Sequence, residues 1–236
     1  MLLAVQHGVL GNRLLDNLPS DVRDGLHPQL ERIPLALGSA MIAPREPIKR
    51  IFFPINCLGS LVTVLEDGAT IEAGSVGREG MVGIPVVLGA VSTPMQTLTQ
   101  IAGDAWAIGA SAFKEAFHSS STLQLVIHRY IHTVFVVASQ SAACNRRHHV
   151  GQRLARWLLM SSDGVGSNEL AITQEFLAAM LGVRRAGVTE AAVKLQEEGM
   201  IRYTRGFVEI LDRPRLESTS CECYRMVANE YERLFG

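Results

Sequence analysis

Residues 172–200 read ITQEFLAAMLGVRRAGVTEAAVKLQEEGM, and the reading of this stretch decides the fold. Phe176, Leu177, Met180 and Leu181 recur at helical spacing, Leu181-Gly182-Val183 interrupts them, and a second series of Val188, Ala192 and Leu195 follows. The pattern is two short helices around a tight turn. Glycine suits such a turn because, lacking a Cβ, it enters positive φ without a clash, so the stretch reads as a helix-turn-helix. Thr173 stands where an N-cap belongs. Arg184 and Arg185 open the second helix, and guanidinium groups there would hydrogen-bond guanine edges or phosphates if that helix entered a DNA major groove.

Two helices of that length need support from the rest of the chain. Immediately after Met200, IRYTRGFVEIL reads as a hairpin turning at Arg205-Gly206, which makes the unit a winged helix-turn-helix. Before it, Val150 to Met160 forms a connecting helix and Gly164 to Ser167 a loop. Further upstream, Leu123, Ile127, Tyr130, Val134, Val137, Ser141 and Cys144 follow one another at steps of four and three, the signature of a two-stranded coiled-coil seam. A helix over those residues would be about 33 Å long. The expected consequence is a symmetric homodimer. An amphipathic helix packed on its own domain is the other reading of the same pattern.

From Ile33 to Ile108 the texture changes to short β-branched runs punctuated by glycine: IKRIFF, CLGSLVTVL, ATIEAGSVG, MVGIPVVLG, QTLTQIAG and AWAIG. Glu66-Asp67-Gly68 is a hairpin-turn signal, because Asp-Gly favours the turns that match strand twist. Repeated short strands predict an antiparallel barrel or roll. Short helices over Asn12 to Leu30, with a break at Pro19-Ser20-Asp21, precede the roll, and Ser111 to Phe117 returns to helix after it. The fold class expected is therefore α+β. It comprises an N-terminal antiparallel, jelly-roll-like β-roll over 1–120, a dimerisation helix over 121–147, and a winged helix-turn-helix with a C-terminal helix over 148–236.

Composition bounds the function. Of the 236 residues, 47% are hydrophobic and 19% charged, enough apolar material for substantial cores. No apolar run approaches the roughly 18 residues of a membrane span, and MLLAVQHGVLG lacks the basic start of a secretion signal, so no membrane partner and a cytoplasmic location are expected. Four cysteines, Cys57, Cys144, Cys221 and Cys223, do not suggest a disulfide framework in a chain this long. Net charge is −1, but residues 121–163 carry 5 Lys/Arg against 1 Asp/Glu, at Arg129, Arg146, Arg147, Arg153 and Arg156. Without a run of like charges, any DNA contact must come from a folded face. G-x-S-x-G, H-E-x-x-H and P-loop patterns are absent from the sequence, and catalysis is not expected.

The order of elements, together with AITQEFLAAMLGVRRAGVTEAAVKLQEEGMIRYTRGFVEIL, resembles the Crp/Fnr family of bacterial transcription regulators. The resemblance runs from about Asn12 to Leu211 and is most specific in the C-terminal third. It implies a cyclic-nucleotide-binding-like sensor domain, a homodimer through the long helix, and binding to palindromic promoter DNA. RNA polymerase would be a further partner if the protein activates. In the family's catabolite activators the recognition helix opens Ser-Arg-Glu-Thr-Val, with a second arginine one turn later. Here Arg184-Arg185-Ala186-Gly187-Val188 stands at that place, followed by Thr189 and Glu190. Only Arg185 is retained among the base readers, and Glu190 replaces the second arginine. The resemblance places Thr173 against phosphate, and the DNA-contacting set expected is Arg185, Arg184, Thr189, Glu190, Thr173, Gln174, Lys194 and Arg205. A module of the same fold whose winged helix contacts protein rather than DNA is the alternative.

The sensor region departs further from the family. Cyclic-nucleotide binders carry Gly-Glu before a short helix and Arg-Ser or Arg-Thr after it, with the Arg neutralising the cyclic phosphate. At the corresponding places this chain has Gly80-Met81-Val82-Gly83-Ile84-Pro85 and Thr93-Pro94-Met95-Gln96-Thr97. An uncompensated buried phosphate is unfavourable, so tight binding of cyclic AMP or cyclic GMP is not expected. Gly80, Met81, Val82, Gly83, Met95 and Gln96 are the candidate lining for an effector whose identity the sequence leaves open.

Metal chemistry is not signalled. The family's iron-sulphur members use an N-terminal cysteine cluster, whereas Cys57 is the only cysteine before Cys144. His128 and His132, four apart, and His148 and His149, beside Arg146 and Arg147, read as polar helix surface. Cys221-Glu222-Cys223 is too short for a C-x-x-C site and reads as packing of a C-terminal helix with Val227, Tyr231 and Leu234. No cofactor and no metal are therefore expected. Cys144 falls on the predicted seam, where two copies would face each other across the dimer axis as a redox link.

Overall fold

A computed structural model describes residues 9–64, 66 and 70–235. Asp67-Gly68 and the start of MLLAVQHGVLG lie outside the described residues, although the strands flanking the turn pair in the register a hairpin requires, Val64 opposite Thr70.

Two short helices, α1 (Arg13–Asp16) and α2 (Ser20–Leu26), lead into the roll. Asn12 caps α1 by accepting from the Leu15 amide at 3.1 Å, and its own amide donates to Pro54 O and Gly80 O. The strands are β1 (Glu31–Leu35), β2 (Ala40–Ile42), β3 (Arg50–Pro54), β4 (Leu58–Val64), β5 (Thr70–Val76), β6 (Gln96–Ile101) and β7 (Gly103–Gly109). They form two antiparallel sheets, one ordered β1-β7-β3 and the other β2-β6-β4-β5, as repeated short β-branched runs require. The run MVGIPVVLG departs from its predicted strand. Val82 makes one bridge to Phe52, and then α3 (Ile84–Val87) begins, because Pro85 fits the first turn of a helix and cannot donate to a sheet ladder.

After the roll come α4 (Ala110–Ser119) and α5 (Ser121–Arg147), the latter 27 residues long and capped by Ser120 Oγ on the Leu123 amide. The C-terminal unit follows: α6 (Val150–Val165), β8 (Glu169–Ala171), α7 (Gln174–Leu181), α8 (Arg185–Glu197), β9 (Ile201–Thr204) and β10 (Phe207–Ile210). It closes with α9 (Arg213–Thr219) and α10 (Cys223–Phe235). The expected loop at Gly164 starts two residues later, since Gly164 and Val165 complete α6 and Gly166 caps it. No helix among the described residues is long and apolar enough to cross a membrane.

Helix α5 departs from the predicted seam. Leu123, Ile127, Tyr130, Val137 and Cys144 are buried inside the single chain, and Val134 and Ser141 are half-buried. They face the roll, α4 and α10, and Tyr130 donates from its hydroxyl to Met81 O at 3.1 Å. The heptad is therefore the chain's own packing stripe, and Cys144 Sγ lies 3.5 Å from Cys221 Sγ of the same chain. The opposite stripe is largely exposed, although His128 meets Phe117 edge-on and His132 lies 3.7 Å from Glu230 of α10. Leu125, His128, His132, Phe135, Ser139 and Ala142 are all exposed, again at steps of three and four, with Phe135 70% and Leu125 52% accessible.

Tyr130 also closes the loop read as an effector lining. A Cβ on Gly80 would collide with the Tyr130 hydroxyl, and Met81 and Val82 are buried against the roll. Gly80→Ala should therefore lower stability by about 1–3 kcal/mol through overpacking. A urea midpoint unchanged from wild type would show that this packing is looser than described.

Candidate nucleic-acid interface

The winged unit is built on one apolar cluster. Leu177 and Leu181 of α7, Val188, Ala192 and Leu195 of α8, and Ile201, Val208 and Ile210 of the wing pack on Leu154 and Leu158 of α6. The sheet order is β8-β10-β9. Gly182 adopts φ +61, and its amide and that of Val183 bond back to Ala179 O and Ala178 O. This paired closure ends α7 and turns the chain sharply into α8. Arg184 is the N-cap of α8 rather than its first helical residue.

With the inner face committed to the core, the outer face is fixed. Arg184, Arg185, Glu190 and Lys194 are exposed along α8, Arg205 is exposed at the wing turn, and Thr173 is exposed at the start of α7. Among the described residues none of Arg184, Arg185, Lys194 and Arg205 pairs with a carboxylate, and Arg185 and Glu190 do not bridge. These cations are free to meet an anionic partner. Thr173 Oγ1 accepts from the Phe176 amide at 3.2 Å, so it caps α7 while remaining at the surface. Thr189 and Gln174 are tied to each other instead: Thr189 Oγ1 lies 2.9 Å from Gln174 Oε1 and 3.0 Å from Arg185 O. This hydrogen bond links α8 to α7. Val193, 46% accessible, lies on the same outer face, where an apolar side chain suits a thymine methyl. It carries no sequence signal, because an apolar residue in an amphipathic helix reads as core.

The cluster of positive charge before the helix pair is only partly a surface feature. Arg129, Arg146 and Arg147 are exposed. Arg153 and Arg156 turn inward, Arg153 donating to Leu181 O and Arg156 to Ser141 Oγ at 2.9 Å. Arg153 thus satisfies a carbonyl at the end of α7, close to the turn that aims α8.

The unit is anchored to the roll as well. Trp157 Nε1 of α6 donates to Glu72 Oε1 at 3.2 Å, Ser60 Oγ reaches Glu72 Oε2 at 2.6 Å, and Met180 Sδ of α7 lies 3.4 Å from Ser60 Oγ. Burial pushes the Glu72 carboxyl above its ordinary range, and the two hydrogen bonds partly offset that. A larger cleft, about 610 Å³, opens elsewhere, between α6, α10 and the turn after β5. Arg213, Asp163 and Tyr224 line it and bond to one another, the Tyr224 hydroxyl donating to Asp163 Oδ2 at 2.9 Å. Of the predicted effector residues, Gly80 to Gly83 are packed and Met95 and Gln96 are half-buried; none of them lines this cleft.

A winged helix-turn-helix joined to an antiparallel β-roll by a long helix is a recognisable two-domain fold, and the comparisons match the chain to it. Residues 152–219 match the Crp-like helix-turn-helix domain. Among solved structures, a transcriptional regulator of the crp/fnr family from Eubacterium rectale superposes with TM-score 0.65 at 20% identity, covering 87% of this chain and 96% of its own. FixK2 from Bradyrhizobium japonicum gives TM-score 0.69 at 13% identity, covering 81% and 98%. The c-di-GMP responsive global regulator CLP from Xanthomonas campestris gives 0.59 at 16%, covering 81% and 99%. Among curated proteins none matches the sequence. The chain therefore carries a Crp-like helix-turn-helix domain on the Crp/Fnr fold.

Because Gly182 sets the angle between α7 and α8, Gly182→Ala should cost about 1–2 kcal/mol, the penalty of a left-handed residue bearing a Cβ. Calorimetric unfolding of wild type and variant measures it, and equal midpoints would refute the account of the turn.

Proposed function

We propose that this chain is a DNA-binding transcription regulator, acting as a homodimer on a two-fold symmetric site and not controlled by tight cyclic AMP binding. The observation that carries the reading is the outer face of α8 and the wing, where Arg184, Arg185, Lys194 and Arg205 stand exposed and unpaired beside the capped start of α7. Arg185 is assigned to base edges and Thr173, Lys194 and Arg205 to phosphates, which position the helix without reading sequence. Glu190 is a candidate acceptor for cytosine N4.

The dimer is assigned to the open stripe of α5 rather than to the heptad buried within the chain. Six exposed positions from Leu125 to Ala142 at coiled-coil spacing, without a charged residue among them, present a self-complementary surface for a second α5. A two-fold pair would set two recognition helices about 34 Å apart, one turn of DNA. The packed loop around Tyr130, with no arginine at the cassette position, is what speaks against tight cyclic nucleotide binding.

In gel-shift titrations against a site selected from random DNA, affinity should fall steeply with salt, with a log-log slope of about −0.9 per phosphate contacted. Arg185→Glu should abolish specific binding while leaving the oligomer intact; retained operator binding by that variant would remove α8 from the interface. A salt-insensitive complex with a protein would favour the protein-binding alternative. Phe135→Glu should convert the dimer to a monomer in sedimentation, and a dimer that survives it places the interface elsewhere. Calorimetry finding sub-micromolar cyclic AMP binding would overturn the effector statement.

A further inference from the structure

Four side chains that the sequence scatters over two regions meet at the joint between α5 and α10. The Sγ atoms of Cys144, Cys221 and Cys223 and a ring nitrogen of His148 all lie within 4.8 Å of one another. Cys144 Sγ is 3.5 Å from Cys221 Sγ, and His148 Nδ1 is 3.6 Å from Cys223 Sγ. In a tetrahedral zinc site, with Zn–S near 2.3 Å, adjacent ligand atoms sit about 3.8 Å apart, so a central ion requires movements on the order of 1 Å. The geometry points to a mononuclear zinc site formed by Cys144, His148, Cys221 and Cys223.

Three further features match what such a site needs. The three thiols are buried and form a cluster of their own, apart from the hydrophobic cores, where three small polarisable side chains contribute little packing. His148 presents Nδ1 to the thiols, while its Nε2 lies 3.2 Å from the Glu222 carboxylate. That is the arrangement in which a carboxylate orients a metal-bound imidazole. Gln140 Nε2 donates to Cys223 Sγ at 3.0 Å, and the charges of Arg153 and Arg156 act on Cys144. Three thiolates and a neutral imidazole on Zn²⁺ leave one negative charge, which those arginines offset. The close mutual spacing suits one ion; a cluster of several irons would hold its ligand atoms farther apart.

Cys221-Glu222-Cys223 fails as a C-x-x-C site only if one turn must supply a ligand pair alone. Here two ligands come from the last turn of α5 and its cap, and two from the α9–α10 junction, 77 residues from Cys144 to Cys221. The ion would staple α10 onto α5 at the point where α5 hands over to the DNA-binding unit. The site is structural by this account, since all four positions are filled by protein and none is left open for substrate.

Elemental analysis of untagged protein, purified without chelator, should give one zinc per chain. Cobalt(II) loaded in its place should show thiolate charge-transfer absorption and the intense visible bands of tetrahedral coordination. The double variant Cys221→Ser/Cys223→Ser should lose the metal. Glu222→Gln, which leaves every ligand in place, should retain the circular dichroism of wild type and bind zinc about 10–100-fold more weakly in competition with a chromophoric chelator. The proposal is overturned by metal-free protein that takes up no zinc, by a Cys144–Cys221 disulfide in place of metal, by iron with acid-labile sulphide, or by zinc retained in the double variant.

Discussion

The structure depends on what covers helix α5. Its 27 residues carry more apolar side chains than one face can hold, and an apolar stripe left in water costs roughly 25 cal/mol per Å². The stripe through Leu123, Ile127, Tyr130 and Val137 is covered within the chain by the roll, α4 and α10. The stripe through Leu125 and Phe135 is not. That asymmetry gives the molecule its organisation: one face of the helix fixes the roll, and the other stands exposed.

The winged unit is not a bead on a string beyond this helix. Leu58 and Ile101 of the roll share a core with α6, α7 and α8, and the Glu72 carboxylate spans the joint between Ser60 and Trp157. A buried carboxylate is tolerable only while those hydrogen bonds are in place. Displacement of β5 would therefore be felt at Trp157 and at the first helix of the helix-turn-helix. Arg153, donating to Leu181 O just before the Gly182 turn, gives α6 a second hold on the same pair of helices.

Much of this was legible in the residues. The 3.6-residue period and Gly182 defined the helix pair, the β-branched runs defined a roll, and IRYTRGFVEIL defined the wing, because each signal is local and arises from backbone geometry. The outward residues of α8 were legible for the same reason: once Val188, Ala192 and Leu195 are inside, Arg185, Glu190 and Lys194 must be outside. The hydrogen bond between Thr189 and Gln174 was not legible, because a hydroxyl and an amide on different helices satisfy each other only where the fold brings them together. MVGIPVVLG misled as a strand, since a short apolar run has no period of its own and Pro85 was the deciding residue.

By itself the sequence determined the order of the elements and the winged helix-turn-helix, both set by periodicities that run along the chain. Tertiary structure decided which of two equally periodic stripes on α5 is inside, since both satisfy the same heptad and only the neighbouring elements distinguish them. It also decided that Arg153 and Arg156 point inward and that Cys144 meets Cys221. Those are contacts between residues far apart in the chain, and spacing along a sequence carries no information about distance across a fold.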